Sequence, residues 1–505
     1  MNQISASERE EPEKDHIEDD EEEPLEDGQL SAKQEHVISR VLQGDNVFIT
    51  GSAGTGKSFV MREIIKRLNG SESRGFGVYV TASTGAAAVN VGGCTVHSFA
   101  GIGFGNGSVY NLKNRLLNNP MCTAAKTRWL NARVLIIDEV SMIDAGLFDK
   151  LEHLARLLRD SSEPFGGIQV VLCGDFFQLP PVRTKADTEE KKFMFQAACW
   201  NRVVHTTFVL DRLFRQKEDK PFAKILNEIR LGYVSPSGEK ILEQCAVPFD
   251  LRPGSISANP CAAKEGTRTH TAKVIPTMLY SHRRDVDHEN AMQLAALNGD
   301  QHSFYALDEG DNTLLKQLTA HCAAPLLLDL KLGAQVVLLK NMDFASGLVN
   351  GSRGVIVNFV MGKAPTPDNA SIRDRIGSVK QEKDQDVALA PVVKFTNGLI
   401  RTIHQDRWRV ALGKRSATRT QVPLALAWAL SIHKAQGMTL SMVKMKLSTV
   451  WECGQAYVAL SRATSQRGLY LIDYDVYKIR ANYEVLRYYK DVLNRQVYAF
   501  RNMQK

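Results

Sequence analysis

One stretch limits this chain more than any other: Gly51-Ser52-Ala53-Gly54-Thr55-Gly56-Lys57-Ser58. An apolar run, Val47-Phe48-Ile49, precedes it, and Phe59 to Ile65 follows with the apolar spacing of a helix. Strand, glycine loop and helix together are the context in which G-x-x-x-x-G-K-[ST] binds phosphate. Glycines let backbone N–H groups close around phosphate oxygens, and the helix N-terminus adds a favourable dipole. All eight residues, Gly51 through Ser58, are therefore expected to cradle the phosphates of a nucleotide. Lys57 is placed to reach the β- and γ-phosphates, and the Ser58 hydroxyl to ligate Mg²⁺.

Further strands empty into functional groups in the same way. Val134-Leu135-Ile136-Ile137 runs into Asp138 and Glu139. Asp138 is expected to hold Mg²⁺, and Glu139 to orient and deprotonate the attacking water. Val170-Val171-Leu172-Cys173 ends in Gly174-Asp175, with Gln178 close behind to sense the γ-phosphate. Val78-Tyr79-Val80 leads through Ser83-Thr84-Gly85 into a helix of small residues, where hydroxyl and N–H groups suit a phosphate that need not be the nucleotide's. Upstream, Ser31 is a candidate N-cap, and Gln34 can read an adenine edge with both halves of its amide. Leu210 to Gln216 closes this part and supplies a candidate arginine, Arg215. Repeated strand–loop–helix units with functional groups at strand ends describe a parallel α/β core.

Charge is divided unevenly. Residues 1–29 hold 13 Asp and Glu against Arg9 and Lys14, a net of −11, while the whole chain carries +7. The remaining body is therefore at +18, which favours a polyanionic partner, nucleic acid first. The acidic start is expected to be a disordered tail. Eight scattered cysteines without a C-x-x-C pair argue against a zinc site and for a reducing compartment. No apolar run reaches 18 residues, which excludes a membrane-spanning helix.

The second half reads differently. Pro221 to Leu231 is helical, and 246–275, rich in Pro, Gly, Ser and Thr, reads as a loop. Short β segments follow at Val336–Leu339, Gly354–Phe359 and Val392–Phe395, punctuated by Asn350-Gly351 and Asn397-Gly398. They suggest a small barrel interrupted by a charged loop at 361–389, a module that binds nucleic acid or protein or only fills space. The stretch from Asp475 to Phe500 reads as an amphipathic docking helix, with DNA stacking by its aromatics as the alternative.

Taken together, these stretches resemble the Pif-type (petite-integration-frequency) helicases of superfamily 1, related to the RecD-like helicases. The resemblance rests on GSAGTGKS at 51–58, STGAAA at 83–88, LIIDEVSM at 135–142 and CGDFFQLPPV at 173–182, then LVNGSRG at 348–354, SIHKAQGMTL at 431–440 and YVALSRA at 457–463. It spans about Leu30 to Ile472, and a basic helix from Asp149 to Arg156 falls where the family has its own signature.

The resemblance implies an α/β fold of two RecA-like parallel-sheet domains, with a small β-barrel insertion in the second. The first domain is expected over 30–217, with a wedge insertion at about 101–130. The second is expected over 218–334 and 421–475, around a barrel at 335–420, with a helical tail at 476–505. Gln34 then matches the adenine reader; Lys57, Ser58, Asp138, Glu139 and Gln178 match the ATPase centre; Arg215 and Arg462 match the two arginines presented to the γ-phosphate. Thr84, His97, His433, Lys434 and Gln436 are implied to contact DNA or link it to the ATP cleft. The run Tyr457, Val458, Ala459, Leu460, Ser461, Arg462 and Ala463 is also assigned to DNA.

The activity implied is 5′-to-3′ translocation on single-stranded DNA by a monomer. It would unwind duplexes and junctions, RNA–DNA hybrids and G-quadruplexes, with ATP and Mg²⁺ as cofactors. A translocase or DNA-binding scaffold without strand separation is the alternative. The nucleus is the expected compartment and the mitochondrion the alternative.

Overall fold

The computed structural model describes residues 29–70, 77–103, 105, 107–181, 192–246, 274–340, 342–343, 346, 348–363, 387–412 and 415–503. The acidic tail through residue 28, most of the 246–275 loop and the charged loop beyond Lys363 lie outside them.

Six strands form the first sheet: β1 (Val47–Gly51), β2 (Val78–Ala82), β3 (Cys94–Thr95), β4 (Val134–Asp138), β5 (Gln169–Cys173) and β6 (Thr206–Leu210). Their order is β3-β2-β4-β5-β1-β6, and every pairing is parallel. All five residues of β1 and of β4 are buried, as expected for strands covered on both faces, where the apolar run is continuous rather than alternating. Helix α1 (Ala32–Leu42) begins with a capping box between Ser31 and Gln34. Helix α2 (Lys57–Gly70) buries Val60, Met61, Ile64 and Leu68 against Val37, Ile38 and Val41 of α1.

The stretch expected to form a wedge is mostly helical, with one side of its helices in the core. Val109–Asn118 and Thr123–Asn131 are helical, and Leu112, Leu116 and Trp129 join the main hydrophobic core. Its glycines punctuate only the short approach to the first of these helices. The basic helix Ala145–Arg159 is also structural: the Asp149 carboxylate accepts the N–H groups of Ala198 and Cys199 at 3.1 and 2.9 Å.

A second parallel sheet has four strands, in the order Ala429–Ser431, Thr277–Tyr280, Val443–Lys446, Leu469–Asp473. Between its strands lies the expected β insertion. Its main sheet is antiparallel and runs Ile400–Thr402, Val387–Phe395, Arg353–Lys363, Gln335–Leu338, Leu424–Leu426. Among the described residues this strand order is open, so the expected closure into a barrel is not seen. The antiparallel structure also begins before residue 335: His302–Tyr305 pairs with Leu327–Leu330, and Leu307–Gly310 pairs with Arg415–Gln421.

Arg353 of the LVNGSRG stretch fastens the insertion to the second sheet. It is fully buried, and its Nη1 donates to the Met442 carbonyl at 2.9 Å. The C-terminal helix is present over Tyr483–Met503, and its Tyr488 and Tyr489 pack onto the first sheet's core.

Candidate active site

The phosphate loop connects β1 to α2 as the sequence requires, and its neighbours come from three directions. A Cβ at Gly56 would sit 2.7 Å from Gln34 Nε2, and one at Gly54 would sit 2.7 Å from Arg215 Cβ. Both positions have positive φ, so glycine is needed there for conformation as well as space. Lys57 Nζ donates to the carbonyls of Gly51 and Ser52 at 2.8 and 2.9 Å. Burial lowers its pKa, against the opposing pull of Asp175, Cys173 and Glu139. Ser58 is exposed at the start of α2. Gln34 corrects an expectation: its Oε1 accepts the Ser31 N–H at 3.0 Å, so that half of the amide serves the helix cap and only the Nε2 half faces the loop.

At the end of β4, Asp138 accepts the Glu139 N–H at 2.8 Å. Glu139 adopts φ 52°, ψ 49°, a left-handed conformation costing a non-glycine residue about 1–2 kcal/mol. The Gln436 amide reaches across from the second sheet's side of the chain, donating to Glu139 Oε2 at 3.0 Å and to Gln178 Oε1 at 3.2 Å. Gln436 therefore belongs to the ATP cleft and links the expected base to the expected γ-phosphate sensor. Burial raises the pKa of Asp138; burial and the neighbouring Asp138 charge push Glu139 up to about 7. Ser58 and Asp138 together offer a hydroxyl and a carboxylate, an oxygen-only set that fits a hard divalent cation.

Arg215 and Arg462 converge from opposite sides. Arg215 Nε donates to Thr439 Oγ1 at 2.9 Å, and its Nη1 to the Ser461 carbonyl at 3.1 Å. Arg462 Nε donates to the Val458 carbonyl at 2.7 Å and Nη2 to Ser461 Oγ at 2.8 Å. Burial depresses both; Arg215 falls to about 9, with the charge of Arg462 adding to the effect, and Arg462 to about 10. Among the described residues neither guanidinium has a carboxylate partner. The site holds surplus positive charge where an anion is expected.

Tyr457 bridges the two halves directly, its hydroxyl accepting the Ala53 N–H of the phosphate loop at 2.6 Å. That contact corrects the assignment of 457–463 to DNA. Tyr457, Val458, Ala459, Leu460, Ser461, Arg462 and Ala463 are all at most 2% exposed, because the helix Gln455–Leu460 and the residues after it are enclosed between the two halves. They have no surface to give a strand. Thr84 is half-buried, its hydroxyl accepting the Ala87 N–H at 3.2 Å as a helix cap, and His97 is half-buried on the short helix Val96–Ala100. Only His433 and Lys434 are exposed. They lie on the helix Ile432–Ala435, whose C-cap residue is Gln436.

Sequence reasoning missed the roles of Asp175, Arg230 and Gln216. Asp175 is fully buried and takes a two-pronged ion pair from Arg230, at 2.8 and 3.0 Å. Gln216 Nε2 donates to the Ala463 carbonyl at 2.8 Å. Asp175 carried a signal, since a carboxylate following a buried strand needs a partner. Arg230 carried none, lying on a helix that reads as amphipathic.

Comparison with known proteins agrees with this geometry. Residues 29–240 match the family described as PIF1-like helicase, and residues 313–359 match the DNA helicase Pif1 2B domain. The ATP-dependent DNA helicase PIF1 of Emericella nidulans is 42% identical over 494 residues, covering 91% of this chain and 63% of the relative. Its human counterpart is 40% identical over 462 residues, with 91% and 63% covered. The chain thus spans about 63% of the length of these curated relatives. The crystal structure of Pif1 helicase from Candida albicans is 38% identical, with a TM-score of 0.64 and 92% of this chain and 99% of that chain covered. Bacteroides sp Pif1, solved in complex with ADP-AlF4, is 26% identical with a TM-score of 0.70, covering 92% and 98%.

Proposed function

The chain belongs to the PIF1-like helicase family, and on that footing we propose that it is an ATP-driven DNA helicase moving 5′-to-3′ on single-stranded DNA. The observation that carries the reading is the Gln436 bridge. One residue beyond a short helix bearing exposed His433 and Lys434, it hydrogen-bonds both Glu139 and Gln178. A strand held at His433 and Lys434 is thereby connected through one helical turn to the hydrolytic centre.

In this reading Lys57 and the loop N–H groups bind the phosphates, while Gln34 Nε2 faces the base. Glu139, once ionised, takes the proton of the attacking water. Arg215 and Arg462 meet the charge on the transferred phosphoryl group. Ser58 and Asp138 would hold Mg²⁺, which supplies charge neutralisation on the phosphates when bound. Closing the cleft brings the arginines, the base and Gln178 onto one phosphate, so hydrolysis follows the movement of the two halves.

The track we assign is single-stranded DNA, and the structures opened are duplexes and junctions, RNA–DNA hybrids and G-quadruplexes, by a monomer. Support comes from relatives solved with DNA: Bacteroides Pif1 bound to ssDNA is 27% identical with a TM-score of 0.56, covering 93% of this chain and 98% of that chain. We place the protein in the nucleus. Cys94, Cys122, Cys173, Cys199 and Cys322 are free thiols, which suits a reducing compartment. Fractionation separates this from the mitochondrial alternative.

The testing experiment compares partial duplexes with a 5′ or a 3′ tail, with ATP and Mg²⁺ present. Strand separation of the 5′-tailed duplex alone is expected, and Lys57→Ala is expected to abolish it while still binding DNA. Separation of the 3′-tailed duplex would reverse the assigned polarity. Hydrolysis without separation of either would leave a translocase.

A further inference from the structure

The chain returns to the nucleotide loop through its C-terminal helix, far in sequence from every phosphate-binding motif. Tyr489 on that helix is 5% exposed, and its ring stacks on Phe177 with centroids 4.9 Å apart and planes at 17°. Its hydroxyl lies 2.5 Å from Thr50 Oγ1, accepts the Phe176 N–H at 3.3 Å and approaches an Asp175 carboxylate oxygen at 3.5 Å. The Arg230 guanidinium closes the group from one side, 4.3 Å from the Phe177 ring centroid and 5.2 Å from that of Tyr489.

The positions of these partners along the chain matter most. The parallel ladder between β1 and β5 ends at Ile49 and Cys173, followed by the Gly174 N–H to the Ile49 carbonyl at 3.1 Å. Past that point one chain leaves for the phosphate loop and Lys57, the other for Gln178. Thr50 is the first residue beyond the ladder on one chain, and Phe176 precedes Gln178 by two on the other. The Tyr489 hydroxyl spans them. Space alone would be filled by a phenylalanine ring; a buried hydroxyl persists where its hydrogen bonds are met on both sides.

We propose that Tyr489 is a positioning residue for ATP hydrolysis, its hydroxyl holding the base of the phosphate loop in register with the loop that carries Gln178. The inference rests on the hydrolytic reading above. It differs from plain helix docking, which the ring and its stacking partner accomplish without the oxygen. Neither Asp175 nor Arg230 is a clean probe, because breaking a buried ion pair leaves an uncompensated charge.

The test is steady-state ATP hydrolysis by the full chain at saturating single-stranded DNA. Tyr489→Phe keeps the stacking and removes the oxygen. It is expected to lower kcat by about tenfold, with KM for ATP moving by less than about twofold, since small misplacements of reacting groups act on turnover. Thr50→Val should lower kcat in the same direction, and the double variant should be no worse than Tyr489→Phe alone, which already removes the hydrogen bond to Thr50. Tyr488→Phe serves as control; its ring stacks on Phe195 at 4.3 Å, and the variant should keep wild-type turnover.

Three results overturn the proposal: wild-type kcat in Tyr489→Phe, losses that multiply in the double variant, or an equal loss in Tyr488→Phe, which would reduce the effect to helix docking. A wild-type protein with no turnover overturns the hydrolytic reading as well, whereas an active wild type matched by Tyr489→Phe overturns only this inference.

Discussion

Arg462→Ala is expected to cut DNA-stimulated ATP turnover by about 10³–10⁵-fold, the range attached to an arginine that neutralises phosphoryl-transfer charge. The expectation follows from how Arg462 is held. Arg462 is 2% exposed, and among the described residues its guanidinium donates only to neutral groups: the carbonyls of Val458 and Ala435 and the hydroxyl of Ser461. A buried charge without a carboxylate is expensive to keep, and a nearby second one, Arg215, makes it more so. Phosphate oxygens arriving between them would supply the missing countercharge. The cost of burying two like charges side by side thus becomes attraction for the anion.

Alanine also strips hydrogen bonds from three acceptors, so Arg462→Lys is the necessary companion. Lysine retains the charge but not the planar fork, and should remain folded while losing most of the turnover. Hydrolysis within tenfold of wild type in both variants would remove Arg462 from the mechanism.

How far this site could be read in advance depended on distance along the chain. The phosphate loop is eight consecutive residues flanked by its own strand and helix, and nothing remote is needed to recognise it. The same holds for Asp138 and Glu139, where a fully apolar strand stops at two carboxylates. Tyr457 to Ala463 shows the opposite case. Its helix has six residues, too few for apolar spacing to declare a face, so the assignment to DNA rested on the resemblance alone until the partner, Ala53, was in view.

Gln34 reads from sequence as an adenine contact, but it sits three residues after the Ser31 N-cap, and local hydrogen bonding took its carbonyl half first. Tyr489 lies 313 residues from Phe176, and no local signal distinguishes it from the other tyrosines of its helix. The insertion divides in the same way. Asn397-Gly398 gave its hairpin, with Gly398 at φ +87°, whereas the pairing of Leu307–Gly310 with Arg415–Gln421 joins segments about a hundred residues apart and leaves no periodic mark.

Glu139→Gln should bind ATP and DNA yet hydrolyse about 10²–10⁴-fold more slowly, the usual contribution of a positioned general base. The substitution is nearly isosteric, so the left-handed backbone at φ 52° and the contact with Gln436 need not change. What changes is the capacity to take a proton. Burial and the adjacent Asp138 raise the Glu139 pKa to about 7, which makes the carboxylate a stronger base than one in water while leaving it ionisable near neutrality. An amide has no such capacity at any pH.

The variant separates binding from chemistry. With hydrolysis blocked, ATP should hold the two halves together and keep the protein on single-stranded DNA, so DNA should dissociate more slowly with ATP than without it. Loss of ATP binding in Glu139→Gln would instead mean that the carboxylate organises the cleft through Gln436 and Gln178. Near-normal turnover would move the base to another group, and Asp138 and Asp175 would have to be tested in its place.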